Sequence, residues 1–428
     1  MKTFSITTLG CKVNQYESET IAEALKKSGW TCDPRTAGAE VCIVNTCAVT
    51  RKAAMQSRQA IRQAVKAHPG ARILVTGCYA QTEPEALEKI SGITSVVGHA
   101  AKCDIPDMLT AAPDGCHPAT ASFFKEPALS AGDGRTRPFL KIQDGCDAFC
   151  SYCIVPYARG RSRSMPFENV IANIRRLSRA GFHETVLCGV HLGCYGQDLT
   201  PPAGLVEILR RVDSDALIDR VRISSIEPRE ISDEIIDLAA ASERICHHFH
   251  IPLQSGDDLI LKRMRRPYSR DFFRELVLKI RAAMPDAAIG VDVLIGFPGE
   301  TETAFQNTFD LIQELPLTYL HVFPFSARRG TPADRFPDRV PAPVVKSRCR
   351  RVRQLGIAKK KAFYSRFLGR TLPVLIESRR DVSGRLKGFS ANYLPVCLNG
   401  GDDLKNTVVA VRIDSSGTDL SLNGVPAG

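Results

Sequence analysis

The chain has no long hydrophobic run: nowhere do apolar residues approach the ~18 in a row that cross a bilayer. Its first residues, MKTFSITTLG, contain no apolar signal core and no small-residue cleavage site. A membrane-spanning protein is therefore not expected, and neither is a membrane partner. The expected location is cytoplasmic. No Gly-Lys-Ser/Thr follows the glycines of GFPGET (Gly296 to Thr301), so that stretch is not a P-loop. No second cysteine lies within three residues of Cys11 in ITTLGCKVNQ, so Cys11 forms no local metal clip.

What the chain does have is fifteen cysteines. In a reducing compartment these are not a disulfide framework. Metal ligands, catalytic thiols and small core residues remain as alternatives. The 428 residues exceed one ordinary core, so two or three domains are expected. Hydrophobic content of 44% and charged content of 24% are those of a soluble globular protein. Lys and Arg number 57 against 46 Asp and Glu, and the net charge of +11 favours a polyanionic partner.

Residues 1–112 alternate strand and helix patterns. FSITTL (Phe4 to Leu9), VCIVNT (Val41 to Thr46) and RILVTG (Arg72 to Gly77) read as strands. A helix is expected from Glu17 to a stop at Gly29, and another from Thr50 to Ala67. This alternation predicts an α/β fold with a doubly wound parallel sheet. Residues 113–137, rich in Ala, Pro, Gly and Asp, read as a linker. Across 138–366 the strand candidates are RPFLKI, ETVLCGV, DRVRISSI, HHFHIPL, AAIGVDVLI and LTYLHVFPF. Helical stretches run between them, as at Pro166 to Ala180, Ser232 to Ala241, Ser269 to Met284 and Thr301 to Leu315. Six such repeats suggest a partial (β/α)6 barrel, with chemistry at the carboxyl ends of its strands. Residues 367–428 carry short strands with Gly, Asn and Asp turns, the pattern of a small β-barrel.

The strongest local signal is GCDAFCSYCIVPYARG, where Cys146, Cys150 and Cys153 are spaced four and then three apart. Three thiolates so placed can wrap one face of an iron–sulfur cube. Zinc usually takes four ligands, and no fourth candidate lies nearby. The motif resembles the radical S-adenosylmethionine superfamily. That resemblance implies a [4Fe–4S] cluster whose open iron chelates the methionine amino and carboxylate groups of the cofactor, yielding a 5′-deoxyadenosyl radical on reduction. Tyr152 matches the aromatic found before the third cysteine. The hard chemistry then belongs to the cofactors, and no catalytic side chain is assigned.

Cys11, Cys47 and Cys78 each end a predicted parallel strand and would share one edge of the sheet, where ligands bind. From the residues alone, a shared three-ligand site and three buried small residues both stand. Cys32 and Cys42, within or beside elements, read as packing residues. The order of the domains, with LGCKVN, VNTC and TGCYAQ, resembles the radical S-adenosylmethionine methylthiotransferases across essentially the whole chain. The resemblance implies that Cys11, Cys47 and Cys78 hold an auxiliary [4Fe–4S] cluster. It implies replacement of C–H by C–SCH3 with two molecules of S-adenosyl-L-methionine, one the methyl donor and the other the radical source. An electron donor such as a flavodoxin or ferredoxin and a sulfur source are implied partners, and the chain is expected to be monomeric.

The stretches CGVHLGCYG, RISSIEP, HIPLQSG and GVDVLIGFPGET resemble the family's cofactor walls. Gly189, Arg222, Ser224, Gln254, Ser255 and Asp292, with Tyr152, are the candidate contacts to cofactor or substrate; helix caps and tight turns are the structural alternative. His191, His247, His248 and His250 read as structural, and Cys188 and Cys194 as packing.

Arg339 to Arg370 holds eleven Lys or Arg and no Asp or Glu. A solvated helix is the ordinary meaning of such a run. The lack of compensating acids and the adjoining β-barrel argue instead for contact with RNA. The terminal stretch ANYLPVCLNG resembles the TRAM domain, an RNA-binding barrel. Within the family, TLGCKVNQYES looks like the branch acting on threonylcarbamoyladenosine beside the tRNA anticodon. The isopentenyladenosine branch carries a GCQMN-like string there, and the branch modifying a ribosomal-protein aspartate a GCxKNxVDSE-like one. Outside the family, an RNA-binding iron–sulfur sensor or a radical enzyme of small metabolites are the alternatives.

Overall fold

The computed structural model describes residues 2–33, 38–110, 134–417 and 420–427. Most of the expected linker, 111–133, lies outside them. No described helix is long and apolar enough to cross a membrane.

The N-terminal sheet is parallel, with β1 (Thr3–Thr8), β2 (Thr31–Cys32), β3 (Val41–Thr46), β4 (Arg72–Gly77) and β5 (Ser95–Val96) in the order β2-β1-β3-β4-β5. Every residue of β3 is buried, as a strand covered on both faces requires. The connections reverse direction between β1 and β3. That switch opens a crevice beyond the carboxyl ends of these strands. Helix α2 (Arg51–Ala67) starts where Thr50 accepts a hydrogen bond from the Ala53 amide.

Helix α1 spans Lys12–Lys27, beginning five residues before the expected start at Glu17. The apolar periodicity fails in its first turns because their inner face is polar: Asn14, Glu17 and Ser18 are all buried. Asn14 donates to the carbonyls of Leu9 (2.7 Å) and Thr46 (3.0 Å), so the first turn ties together the ends of β1 and β3.

The central domain holds six parallel strands: β6 (Phe139–Lys141), β9 (Glu184–Cys188), β10 (Arg220–Ile223), β11 (His248–Gln254), β12 (Ala288–Ile295) and β13 (Tyr319–Pro324). They form two three-stranded sheets joined by the parallel bridges Val221↔Ile245 and Ser225↔His250. The result is an open partial barrel. The small ladder of β7 (Gln143–Asp144) and β8 (Arg163–Ser164) brackets the cysteine-rich loop. Apolar residues such as Leu140, Ile223, Ile251, Val291 and Phe305 fill the core between strands and helices.

The last five strands close a barrel, β14 (Thr371–Arg380), β15 (Leu386–Ser390), β16 (Pro395–Leu398), β18 (Leu422–Pro426) and β17 (Val408–Ser416) in that order. The basic segment is a 24-residue helix, Ala342–Ser365, packed on β13. Its lack of acids is not a lack of counter-charge, contrary to the sequence argument. Arg348 pairs with Glu300 (2.7 Å) and Glu302 (2.8 Å), and Arg366 and Arg370 pair with Asp286 (3.1 and 2.6 Å). The partners lie on other elements, out of reach of helix-spacing arguments.

A buried polar network joins the first two domains. Glu17 of α1 accepts from Lys102 (2.6 Å), Arg159 (2.9 Å) and Lys141 (3.2 Å). Asp144 accepts from Arg159 (2.8 Å) and Lys141 (3.2 Å) and meets His99 Nε2 at 3.1 Å. Arg159 Nη2 donates to Asn14 Oδ1 at 2.5 Å. Burial raises the carboxyl pKa values, but the surrounding cations outweigh it and hold Glu17 and Asp144 well below the usual range. Burial, reinforced by Arg159, pushes His99 down to about 4, so it is neutral at pH 7.

Removing one buried partner leaves the others unpaired. Glu17→Gln is expected to cost about 3–5 kcal/mol. The pH dependence has a definite sign. The unfolded chain protonates His99 near 6.5 and the folded chain only near 4, so its contribution is complete above 6.5 and is lost as pH falls towards 4. The carboxylates act lower: their contribution is present above their unfolded values and is lost as pH falls through their depressed folded ones. Urea midpoints between pH 7 and 4.5 should fall less steeply in His99→Gln, by up to about 1.4 kcal/mol per pH unit. An unchanged slope would remove His99 from the titrating set.

Candidate active site

The three dispersed cysteines meet at the crevice of the N-terminal sheet. Cys11 is the N-cap of α1 directly after β1, Cys47 follows β3, and Cys78 opens the short helix Cys78–Thr82 after β4. Two glycines let these loops close up. Gly10 has φ +101°, and a Cβ there would stand 2.9 Å from Cys47 Cβ. Gly77 has φ +96°, and a Cβ there would stand 2.4 Å from the Thr46 carbonyl oxygen. Neither position tolerates a side chain.

Cys11, Cys47 and Cys78 line a cavity of about 750 Å³. Its far wall comes from the central domain: Cys188 and Gly189 at the carboxyl end of β9, Ser224 just after β10, and His248, His250, Asp292 and Tyr319 along β11, β12 and β13. The strand-end cysteines of the first sheet thus face the strands of the central domain across one chamber. Burial pushes the Cys47 thiol up to about 11 and raises Cys78 too, while the Arg159 guanidinium pulls both back down. A bound metal centre would deprotonate such thiols outright. Neither cysteine triad is among the described groups whose ligand atoms all come within 4.8 Å of one another.

The second triad lies in the loop bracketed by β7 and β8. The Cys146 amide donates to the Gly160 carbonyl at 3.0 Å and Cys153 to Cys150 at 3.0 Å, which coils the loop. Burial pushes the Cys153 thiol up to about 12. Gln143 stitches this loop to the one after β9: its amide nitrogen donates to the Asp144 and Gly145 carbonyls, and its oxygen accepts from the Val190 and His191 amides.

His191 and Cys194 are more than the structural and packing residues expected. His191 Nδ1 lies 3.4 Å from Cys146 Sγ and 3.5 Å from Cys194 Sγ, and its Nε2 pairs with Glu230. Burial opposes charge on His191, but Cys146, Cys194 and Glu230 outweigh it and raise its pKa. Arg266, which carried no sequence signal, donates to Cys150 Sγ at 3.4 Å and pairs with Glu227. Two of the three candidate sulfur ligands in this loop, Cys146 and Cys150, therefore have a cationic neighbour.

The remaining expected contacts divide. Gly189, Arg222, Ser224 and Asp292 lie on the cavity wall. Arg222 is held by Glu184 (2.8 Å) and by the carbonyls of Ala391 (2.9 Å) and Ser390 (3.2 Å), which clamps the terminal barrel to the strand end. Tyr152 packs edge-on against Phe297. Ser255 is a correction: its hydroxyl serves the turn after β11, accepting from the Asp257 amide (3.2 Å) and meeting Thr308 Oγ1 (3.3 Å). Gln254 sits at a register irregularity with φ +60° and is not on the cavity wall. His247 meets the Ala239 carbonyl, as a structural histidine should. His248 and His250 instead face the chamber.

Sequence reasoning missed Tyr393 as a wall residue. It projects from the terminal barrel into the chamber, 4.6 Å from His248 and stacked at 5.0 Å on Phe389, with Arg222 4.8 Å from its ring. A second cavity, about 690 Å³, continues outward between the basic helix and the barrel. It shares Tyr319, His321 and Tyr393 with the first and is lined by Arg353, Lys360, Lys387, Tyr364 and Phe389.

Known proteins resemble the chain throughout. Residues 3–98 match the family described as uncharacterized protein family UPF0004, and residues 140–312 match the radical SAM superfamily. The threonylcarbamoyladenosine tRNA methylthiotransferase MtaB of Bacillus subtilis is 38% identical over 97% of this chain and 95% of that protein. The protein of the same name from Rickettsia prowazekii is 40% identical over 92% and 91%. A tRNA-2-methylthio-N(6)-dimethylallyladenosine synthase from Cereibacter sphaeroides is 34% identical over 96% and 95%. In fold, the radical S-adenosylmethionine methyltransferase TsrM from Kitasatospora setae superposes with a TM-score of 0.58 at 16% identity, covering 76% of this chain and 73% of that one. With both domains matched and curated relatives of this identity aligned almost end to end, the chain belongs to the radical S-adenosylmethionine methylthiotransferase family.

Proposed function

We propose that this chain converts N6-threonylcarbamoyladenosine beside the tRNA anticodon to its 2-methylthio derivative. One observation carries the reading: the three strand-end cysteines of the first domain and the strands of the radical domain face one chamber. Cys146, Cys150 and Cys153 would hold one [4Fe–4S] cluster and Cys11, Cys47 and Cys78 the other. Bound together with S-adenosyl-L-methionine, these groups supply the radical C–H activation and the methylthio transfer. The threonylcarbamoyl substrate is supported by the relatives named for it, at 35–40% identity.

The chain's own residues position and shield. Arg159 bridges Asn14, three residues after Cys11, and Asp144, two before Cys146, and so fixes the two cysteine loops relative to each other. His191 and Arg266 lie against the sulfurs of Cys146 and Cys150 and so orient these two side chains. Tyr393, Tyr319 and Phe323 wall the chamber with aromatic surface, which limits water around a reactive centre. The outer groove suits an RNA strand, with cations for phosphates and rings for base stacking. A flavodoxin or ferredoxin as electron donor, a separate sulfur source, a monomeric state and a cytoplasmic location complete the proposal.

Two measurements test it. Anaerobic reconstitution should load about eight iron per chain, and the triple variant Cys11→Ala, Cys47→Ala, Cys78→Ala about four. That variant should still form 5′-deoxyadenosine but no methylthio product; full iron content in it would sink the second-cluster assignment. Mass spectrometry of tRNA nucleosides from cells lacking the protein should show loss of the 2-methylthio form of threonylcarbamoyladenosine, with the isopentenyl form intact. The opposite pattern would move the substrate to the other tRNA branch.

A further inference from the structure

Lys12 is the first residue of α1, adjacent to Cys11, and its side chain lines the active chamber. Its charge is felt by Cys188 and His248 on the opposite wall. Among the described residues no group forms an ion pair or hydrogen bond with its ammonium. The acids of the chamber are engaged elsewhere. Asp292 meets His250 (2.9 Å) and His321 (3.2 Å), and Glu377 accepts from Arg137 (2.9 Å) with Lys387 at 3.6 Å. Lys12 is thus a cation without a local counter-charge inside a binding chamber.

A second group on the wall is also incomplete. His248 is 5% exposed, and its Nδ1 has no hydrogen-bond partner. Its Nε2 meets the Tyr319 hydroxyl at 2.8 Å, and that hydroxyl meets His250 Nδ1 at 3.0 Å. Asp292, held ionised by its two histidines, accepts from His250 Nε2–H. With His250 neutral, Tyr319 donates to His250 Nδ1 and accepts from His248 Nε2–H. His248 Nδ1 is then an acceptor without a partner, itself buried behind the chamber wall.

A hydrocarbon substituent on the adenine would cover the Lys12 ammonium unpaired and incur its desolvation cost. A substituent bearing a carboxylate would pair with it. We propose that Lys12 determines substrate choice by pairing with the carboxylate of the threonylcarbamoyl group. This rests on the function proposed above and assigns the recognition of its distinguishing group. A plain phosphate contact is the competing role for a lysine. The phosphate-suited cations Arg353, Lys360 and Lys387 line the outer groove, whereas Lys12, exposed to the inner chamber, stands beside Cys11.

The test uses the iron-loaded full chain and two anticodon stem-loops. One carries N6-threonylcarbamoyladenosine; the other is identical except that the threonine carboxylate is a primary amide. Wild type should bind the acid about tenfold to a hundredfold more tightly than the amide, the range of a charge-assisted pair. Lys12→Gln should bring the ratio close to one, and Lys12→Arg should keep most of it. Equal losses for both RNAs in Lys12→Gln would identify a phosphate contact and overturn the proposal. So would a wild-type ratio near one, or an unchanged ratio in Lys12→Gln. Should wild type bind with the expected preference but leave the acid stem-loop without a methylthio group under reducing turnover, the catalytic reading alone falls. Absence of both binding and turnover overturns the two together.

Discussion

The guanidinium of Arg159 ties together two parts of the chain that are distant in sequence: Asn14 and Glu17 in the first helix, and Asp144 in the turn before the cysteine-rich loop. Each of these lies within a few residues of a candidate sulfur ligand. Two domains with separate cores could pack in many relative orientations through apolar contact alone. A buried, directional ion network restricts that choice, because a misaligned pair would leave charges desolvated and unmatched. The relative placement of the two cysteine triads depends on this junction.

The network has a charge consequence. Lys102, Lys141 and Arg159, with Arg163 3.7 Å from Asp144, surround the two carboxylates Glu17 and Asp144, and His99 is neutral, so cations outnumber anions at the junction. Arg159 is felt at Cys47 and Cys78, where it opposes the effect of burial. A junction that holds domains in register therefore also offsets part of the rise that burial imposes on the Cys47 and Cys78 thiols. The same economy recurs at the other triad, where His191 and Arg266 lie against Cys146 and Cys150 and are themselves tied to Glu230 and Glu227.

The terminal barrel is part of the active chamber. Arg222 holds it by backbone carbonyls, and Tyr393 then reaches the radical domain's strands. The terminal barrel thereby supplies a wall of the chamber, and the outer groove shares Tyr319, His321 and Tyr393 with it.

Much of this was written locally. Strands such as Val41–Thr46 and Arg72–Gly77 stand where the apolar pattern put them, because a doubly covered parallel strand must be continuously apolar. The spacing of Cys146, Cys150 and Cys153, and the strand-end positions of Cys11, Cys47 and Cys78, are properties of the sequence and its periodicity. Tertiary structure alone decided the rest. The early start of α1 is hidden by buried polar residues whose partners lie in other elements. The counter-charges of the basic helix, the contact of His191 with Cys146 and the arrival of Tyr393 in the chamber join positions tens to hundreds of residues apart. Hydrogen bonds and ion pairs leave no period in a sequence, and their partners are chosen only when the domains dock.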